Sequence, residues 1–410
     1  MSEWQETTLG AAFNVNPKRE IKRGAVTSFV PMDALPEHAR QITRIERREF
    51  VGGGAKFRNR DTLLARITPC LENGKTAFVT GLAEDEVAHG STEYIVISGK
   101  DDVSDDLFAY YLAQLPGFRS HAIASMEGTS GRQRVPNDAV SRYKLQLPPV
   151  TEQRAIALML GTLDDKIELN RRMNETLEAM ARAIFQSWFV DFDPVRAKVR
   201  GESPDAICKR LGLTPELLAL FPDSFEDSEL GEIPAGWLPA RLDEILELAY
   251  GKALKATDRI DGEFPVYGSG GVTGYHNESL IDGPAIIVGR KGTVGSLYWE
   301  DRSSCPIDTV FYVKPKVQLT YCFYLLQTLA LETMNTDAAV PGLNRNNVYR
   351  LLTSMPSEEV RAAFERLAIS VRRQICANTE ELKTLSKVRD TLLPKLLSGE
   401  LVVSVREDRS

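Results

Sequence analysis

Long apolar segments are absent from this sequence. No stretch approaches the roughly 18 consecutive apolar residues that a membrane-spanning helix needs. The first residues, MSEWQETTLG, contain acids and lack the apolar core of a secretory signal. The five cysteines are scattered without a CxxC pair, which favours reduced thiols over a disulfide framework or a zinc site. These absences predict a cytoplasmic protein that has no membrane segment.

Histidine, a frequent metal-binding and catalytic residue, is also rare in this sequence. The four histidines, His38, His89, His121 and His276, are too dispersed in the sequence to indicate a metal cluster or a catalytic triad. The phosphate-binding pattern GxxxxGK[ST] does not occur. We therefore expect no catalytic residues and no bound metal in this chain.

The net charge is −7, but the charge is distributed unevenly. Residues 17–66 contain 12 Lys and Arg against 6 Asp and Glu, whereas residues 191–232 contain 5 against 10. A chain that is acidic overall can therefore still present a basic face to an anionic partner. Charge alone leaves an ordinary solvated surface equally open.

The two halves of the chain share a series of features in the same order. Each half begins at a tryptophan, continues through β-prone runs around a turn that contains Gly and Lys, and then reaches a helical segment. A Gly-containing segment with basic and amide side chains follows, and a long helix that opens at proline comes last. The matched segments are 4–13 and 237–246, 63–79 and 285–299, 91–97 and 307–313, 107–115 and 322–331, and 128–135 and 340–348. This order predicts a duplicated α/β (α+β) unit.

The segment GPAIIVGRKGTVGSLYW (283–299) places Arg290 and Lys291 in a glycine-framed turn between two β-prone runs. Because the turn has a counterpart in the first half and lacks the GxxxxGK[ST] pattern, the sequence disfavours a nucleotide-binding loop. It indicates a tight turn between two strands. Whether Arg290 and Lys291 also contact a ligand stays open at this point.

Each half ends in a segment whose apolar positions alternate at steps of four and three. This pattern predicts helices over Thr151–Trp188 and Ser357–Leu397, the first of them about 55 Å long, that pair as an antiparallel coiled coil with pseudo-two-fold symmetry. The predicted seam residues are Ile156, Leu160, Leu163, Ile167, Asn174, Leu177, Val371, Ile375, Asn378, Leu382 and Leu385. The alternative is that each helix packs separately on its own domain.

Three segments resemble the specificity subunits of type I restriction–modification enzymes. They are LPPVTEQRAIALMLGTLDDKIELNRRMNETLEAMARAIFQSWFVDFDPV (147–195), LLPKLLSGELVV (392–403), and GEFPVYGSGGVTGYHN (262–277) together with IIVGRKGTVGSLYW. The resemblance spans essentially the full chain. It implies target-recognition domain 1 (1–148), a central coiled-coil helix (149–192), a connector (193–236), target-recognition domain 2 (237–355), and a distal coiled-coil helix with a tail (356–410).

The resemblance also implies a function without chemistry in this chain. Each domain would read one half of a bipartite double-stranded DNA site, and the helices would set the spacer between the halves. Two methyltransferase subunits would dock to the chain, as would two restriction (translocase) subunits. S-adenosylmethionine, ATP and Mg would belong to those partners. The alternative is a non-catalytic coiled-coil scaffold whose two heads bind protein or small ligands.

Basic and amide side chains on loops of the two heads are the predicted DNA contacts, because they can bind phosphates and base edges. In the second head these are Arg290, Lys291, Thr293, Asn344, Arg345, Asn347, Tyr275 and His276. In the first head they are Lys56, Arg58, Asn73, Lys75, Arg132, Gln133 and Arg134. For each of them, a solvated loop residue is the alternative.

The predicted methyltransferase contacts are the outer faces of the long helices, together with Trp188 and Phe189 near the end of the first. Aromatic side chains exposed at that position would form a docking patch. The alternative is that both rings close the helix against a recognition domain.

Overall fold

A computed structural model describes residues 4–37, 39–129, 131–335 and 342–403. The chain divides into two compact units, Met1–Arg172 with Thr379–Ser410, and Met173–Asn378. None of the helices in the described ranges combines the length and the apolarity of a membrane span.

In its described residues the first unit contains ten strands, the start of the first long helix and the end of the second. In chain order its elements are β1 (Gln5–Thr8), α1 (Leu9–Ala12), β2 (Asn14–Val15), β3 (Val26–Val30), β4 (Glu46–Glu49), β5 (Lys56–Phe57), β6 (Thr62–Ala65), β7 (Thr76–Phe78), β8 (Ala88–Gly90), β9 (Tyr94–Ser98), α2 (Asp106–Gln114), α3 (Pro116–Ala124), α4 (Asn137–Ser141), β10 (Lys144–Leu147) and α5 (Val150–Phe189). A 3₁₀ turn covers Met32–Ala34.

Two four-stranded sheets and the two-stranded pair β1–β10 make up the first unit. One has the order β2-β9-β6-β7 with antiparallel neighbours, and its central strands β6 and β9 are buried along their whole length. The other has the order β4-β3-β8-β5, in which β3 and β8 are parallel. Helix α2 packs on the first sheet and is capped by Asp105, whose carboxylate accepts the N–H groups of Leu107 and Phe108.

The second unit contains the connector and then repeats the elements of the first unit. In chain order the elements are α6 (Asp193–Val199), α7 (Pro204–Leu211), α8 (Pro215–Ala219), β11 (Phe225–Ser228), β12 (Gly231–Pro234), β13 (Leu238–Arg241), α9 (Leu242–Ile245), β14 (Leu246–Tyr250), β15 (Phe264–Gly268), β16 (Gly271–His276), β17 (Ala285–Gly289), β18 (Leu297–Glu300), β19 (Cys305–Pro306), β20 (Val310–Pro315), α10 (Leu319–Thr328), α11 (Arg345–Tyr349), β21 (Leu352–Met355) and α12 (Glu358–Leu397). Short 3₁₀ turns cover Ala256–Asp258 and Leu331–Thr333.

The strand order confirms the duplication. The sheet β14-β20-β17-β18 has the same antiparallel arrangement as β2-β9-β6-β7, and the parallel pair β15–β19 repeats β3–β8. In both units the strand that follows the matched tryptophan, Trp4 or Trp237, pairs with the strand that precedes α5 or α12, β1 with β10 and β13 with β21. The two halves therefore share a topology as well as sequence features.

The connector is a folded part of the second unit. Its helices and its hairpin place Ile207, Phe221 and Ile233 in the same buried cluster as Trp188 and Phe189. Trp188 and Phe189 are only 3% and 5% exposed, so the prediction that they form an exposed docking patch is wrong. The alternative is correct, because both rings pack the end of α5 against the second recognition domain.

The long helices α5 and α12 contain 40 residues each and pair antiparallel within each unit. In the first unit Arg389 Nη1 donates to the Asp164 carboxylate at 2.8 Å, and Asn170 Nδ2 donates to Glu381 at 2.8 Å. Numbering therefore rises along α5 as it falls along α12.

The two helices are antiparallel in the second unit as well. Asn378 Nδ2 donates to Asn174 Oδ1 at 2.8 Å, and Arg372 lies 2.7 Å from Glu178. All the predicted seam residues are buried or half-buried, which confirms the coiled-coil prediction against separate packing of the helices.

Candidate nucleic-acid interface

The glycine turn of the second unit begins where β17 ends. Backbone hydrogen bonds close it, from Gly289 N to Ser296 O at 2.7 Å and from Gly295 N to Gly289 O at 2.9 Å. The N–H groups of Arg290 and Lys291 both donate to Thr309 O at 3.0 Å. These donors are therefore engaged inside the fold and are not free to surround a phosphate, which agrees with the prediction of a tight turn.

Gly295 is required by this turn for two reasons. Its φ is +73°, and an added Cβ would lie 2.4 Å from the backbone of Leu331 and Glu332. We expect Gly295→Ala to lower the free energy of unfolding of the second unit by about 2–4 kcal/mol, from the left-handed backbone and the steric overlap together. Urea unfolding followed by tryptophan fluorescence measures the change. Gly270→Ala, where the space is open, is the control, and equal effects of the two substitutions would contradict this account.

Two predicted segments of the second head meet beside an aromatic ring. Leu343 N donates to Arg290 O at 2.8 Å, and Lys291 pairs with Gly342 in an isolated β-bridge. The guanidinium carbons of Arg290 and Arg345 lie 4.8 and 4.9 Å from the centroid of Tyr250. Tyr250 is 49% exposed and is not among the DNA contacts predicted from the sequence. Val340 and Pro341, in the predicted segment 340–348, lie outside the described residues.

The other candidates of the second head have differing surroundings. Lys291, Thr293 and Tyr275 are exposed and Asn347 is half-buried. The side-chain oxygen of Asn344 caps α11 by accepting the N–H of Asn346 at 2.9 Å. The Nδ1 atom of His276 accepts the N–H of Ile260 at 3.1 Å, so this ring holds a loop in place.

Arg66 in the first unit makes the same backbone hydrogen bonds as Arg290 in the second. Arg66 N donates to Glu93 O at 3.0 Å, and Val135 N donates to Arg66 O at 2.9 Å, which repeats the hydrogen bonds around Arg290. Asn137 lies just after Val135 and starts α4, as Arg345 lies just after Leu343 and starts α11. Asn137 is therefore equivalent to Arg345. Arg66 and Asn137 are not among the predicted contacts, although Arg66 ends the apolar run of segment 63–79 as Arg290 ends that of the matched segment 285–299.

Arg66 and Asn137 line a groove of about 360 Å³. Its lining residues are Asn16, Pro17, Lys18, Arg19, Gly54, Ala55, Lys56, Arg66, Thr92, Tyr94, Val96 and Asn137, none of which is acidic. Arg19 is paired with the buried carboxylate of Asp61. Lys18 is exposed, and the Nε atom of Arg66 is buried without a hydrogen-bond partner among the described residues. The groove is therefore basic.

Of the predicted contacts in the first head, only Lys56 lines this groove. Arg134 donates to both oxygens of Glu93 at 2.7–3.0 Å, and these hydrogen bonds raise the pKa of Arg134. Asn73 donates to Glu37 at 3.3 Å. Arg58 and Arg132 are exposed, while Gln133 and Lys75 are half-buried. The predicted contacts of the first head are therefore not gathered into one site.

Comparisons with known proteins give the family. The family model for the type I restriction modification DNA specificity domain matches residues 63–179 and again residues 234–350. The HindI specificity subunit of Haemophilus influenzae is 26% identical over 464 aligned residues, which cover 98% of this chain and 100% of that protein. The MjaIX specificity subunit of Methanocaldococcus jannaschii is 25% identical over 74% of this chain and 71% of its own length.

A solved structure has the same fold. The S subunit of a type I restriction–modification system from M. genitalium superposes with a TM-score of 0.59 at 18% identity, covering 97% of this chain and 96% of that one. The two family-model matches together span more than half of the present chain. The chain therefore belongs to the type I restriction–modification DNA specificity family, as a specificity subunit with two target-recognition domains.

Proposed function

We propose that each recognition domain reads one half of a bipartite DNA site through the surface around its turn arginine, Arg66 in the first unit and Arg290 in the second. The observation that carries the proposal is the repetition of the backbone arrangement around this arginine. The same backbone hydrogen bonds hold an arginine at the end of the equivalent strand in both units, β6 and β17. An arrangement that occurs twice in one chain suits a target with two parts.

The local charge supports an anionic ligand. The groove of the first unit is lined by basic and neutral side chains, although the chain as a whole has a net charge of −7. In the second unit the exposed Lys291 lies next to Arg290 in the turn. Lysines at these positions suit phosphate contacts, which set the register of a protein on DNA.

The partners are also part of the proposal. Two methyltransferase subunits and two restriction subunits dock to the chain, and these partners bind S-adenosylmethionine, ATP and Mg, while the chain itself has no catalytic residues. In the first unit Leu158 and Leu169 are 70% and 53% exposed on α5, and their spacing of eleven residues places them on one face of the helix. Two exposed leucines outside the seam suit a contact with a partner protein. The free cysteines, Cys70, Cys208, Cys305, Cys322 and Cys376, support a cytoplasmic location.

Methylation mapping of cellular DNA tests the proposal. Deletion of this gene is expected to remove N6-methyladenine from one bipartite motif. In vitro, DNA is expected to be methylated when the purified chain is combined with a methyltransferase subunit, and not by the chain alone. The affinity of the purified chain for that motif should fall steeply with salt, because phosphate contacts release counterions. Methyl transfer by the chain alone, or a salt-independent affinity for DNA, would contradict the proposal and favour an enzyme or a ligand-binding scaffold.

A further inference from the structure

The arginine pair of the second unit is held in a fixed orientation. The guanidinium of Arg290 lies 4.8 Å from the ring centroid of Tyr250 and 5.7 Å from that of Phe311. Its Nη1 atom donates to Asp308 O at 2.8 Å. Tyr250 and Phe311 face each other across the pair β14–β20, so the sheet itself sets the position of the aromatic platform. Arg345 lies 4.9 Å from the same Tyr250 ring.

This arrangement suits a base edge better than a phosphate. A phosphate accepts hydrogen bonds from many directions, so a flexible lysine is sufficient, and Lys252, Lys255 and Lys291 are exposed on neighbouring segments. A stacked guanidinium holds its N–H groups in one plane, and two neighbouring N–H groups point the same way as a fork. That geometry matches the two acceptors of guanine, O6 and N7, in the major groove.

On the proposed function, we infer that Arg290 and Arg345 read guanines in the half-site bound by the second domain. Tyr250 is the positioning residue for both side chains. Contacts of this kind carry sequence information, whereas the exposed lysines around them position the DNA backbone.

The first domain has different chemistry at the equivalent positions. Glu93 and Thr309 accept the N–H groups of Arg66 and Arg290, and Ile97 and Val313 follow them at the same distance in the chain. Ile97 pairs with Val15, and Val313 pairs with Leu248, so Val15 and Leu248 are equivalent positions. Two residues further along the chain are Pro17, which lies beyond the end of β2, and Tyr250, the last residue of β14. The first domain therefore lacks the aromatic platform and has Asn137 in place of Arg345. An asparagine side chain suits adenine N6 and N7, so the half-sites of the two domains should differ at this position.

Methylation mapping with the full-length chain and its methyltransferase tests this inference. The wild-type motif should contain guanine in the half-site of the second domain. Arg345→Lys and Arg290→Lys keep the positive charge but lose the paired hydrogen bonds, so each should reduce the preference for guanine at one position by about 5- to 150-fold. Arg345→Asn should shift that preference towards adenine. Lys314→Gln, at the other end of β20 and paired with Glu247, is the matched control and should leave the motif unchanged.

The outcomes separate the inference from the proposed function. If no motif depends on the gene, the proposed function fails. If a motif depends on the gene and both lysine variants keep full guanine preference, the arginines bind phosphate and the inference is wrong. If a variant abolishes methylation altogether, the affinity of the purified chain is measured for half-sites with and without the guanine. An equal loss of affinity for all sequences overturns the inference, and a loss confined to the guanine site supports it.

Discussion

Replacing Asp164 by alanine is expected to lower the free energy of unfolding of the first unit by about 3 kcal/mol. The Asp164 carboxylate accepts hydrogen bonds from Tyr111 Oη at 2.7 Å and from Arg389 Nη1 at 2.8 Å. The variant would leave a guanidinium and a hydroxyl without their acceptor in a buried region. The expected cost is at the lower end for a buried pair, because the side chain of Arg389 is 19% exposed and keeps its contact with Asp390.

Deprotonation of Arg389 cannot relieve this loss. Burial alone would lower the pKa of Arg389, but the hydrogen bonds and charges of Asp164 and Asp390 outweigh burial and raise that pKa above its ordinary value. An arginine side chain stays protonated in proteins even without such partners, so the guanidinium is also charged in the variant. Loss of Asp164 would leave this charge with the exposed Asp390 as its remaining ion-pair partner among the described residues.

Native-state hydrogen exchange of amides in α2 and in the last turns of α12 measures this change in the first unit. Asp390→Ala is the matched control, because it removes a carboxylate from the same guanidinium where that carboxylate is 63% exposed, and its effect should stay within about 1 kcal/mol. Replacing Asp164 and Arg389 together by leucine should restore most of the stability. Equal effects of Asp164→Ala and Asp390→Ala would show that the buried pair does not stabilise the helix contact.

Phe364→Ala is expected to destabilise the second unit by about 3–5 kcal/mol. Phe364 of α12 is fully buried, and its ring centroid lies 5.4 Å from those of Phe185 and Phe189 and 5.6 Å from that of Tyr324. Since α5, α12 and α10 all contribute to this cluster, alanine would leave a cavity that no single side-chain rotation can fill.

The unfolding transition of the second unit can be followed through Trp188 and Trp237, which lie in the same buried cluster. Ile260→Ala is a suitable control, because Ile260 is 60% exposed and its truncation should change stability by less than about 0.5 kcal/mol. A similar urea midpoint for both variants would mean that the aromatic cluster does not join the helices to the recognition domain.

Features with a regular pattern were predictable from the sequence. The seam of α5 and α12 follows from the steps of four and three, since a helix brings such positions to one face. The turn at Arg290 and its relation to Arg66 followed from comparing the two halves. Both inferences use only neighbouring residues or an internal repeat, and neither requires knowing which strands pair.

Several contacts of the candidate interface could not be predicted in this way. The groove of the first unit joins Lys18, Lys56, Arg66 and Asn137, which lie far apart in the chain. Arg134 looked like a free basic residue, but the fold places Glu93 within hydrogen-bonding distance of it. Tyr250 has no sequence motif of its own, and its role depends on the pairing of β14 with β20.

The duplicated unit, the paired helices and the glycine turn with its arginine could be predicted from the residues alone, because local periodicity and repetition express these features directly. The burial of Trp188 and Phe189, and the aromatic ring shared by Arg290 and Arg345, became apparent from the fold. Burial and stacking depend on which distant segments are brought together. Strand order and helix packing set those neighbours through many weak contacts that no short segment encodes.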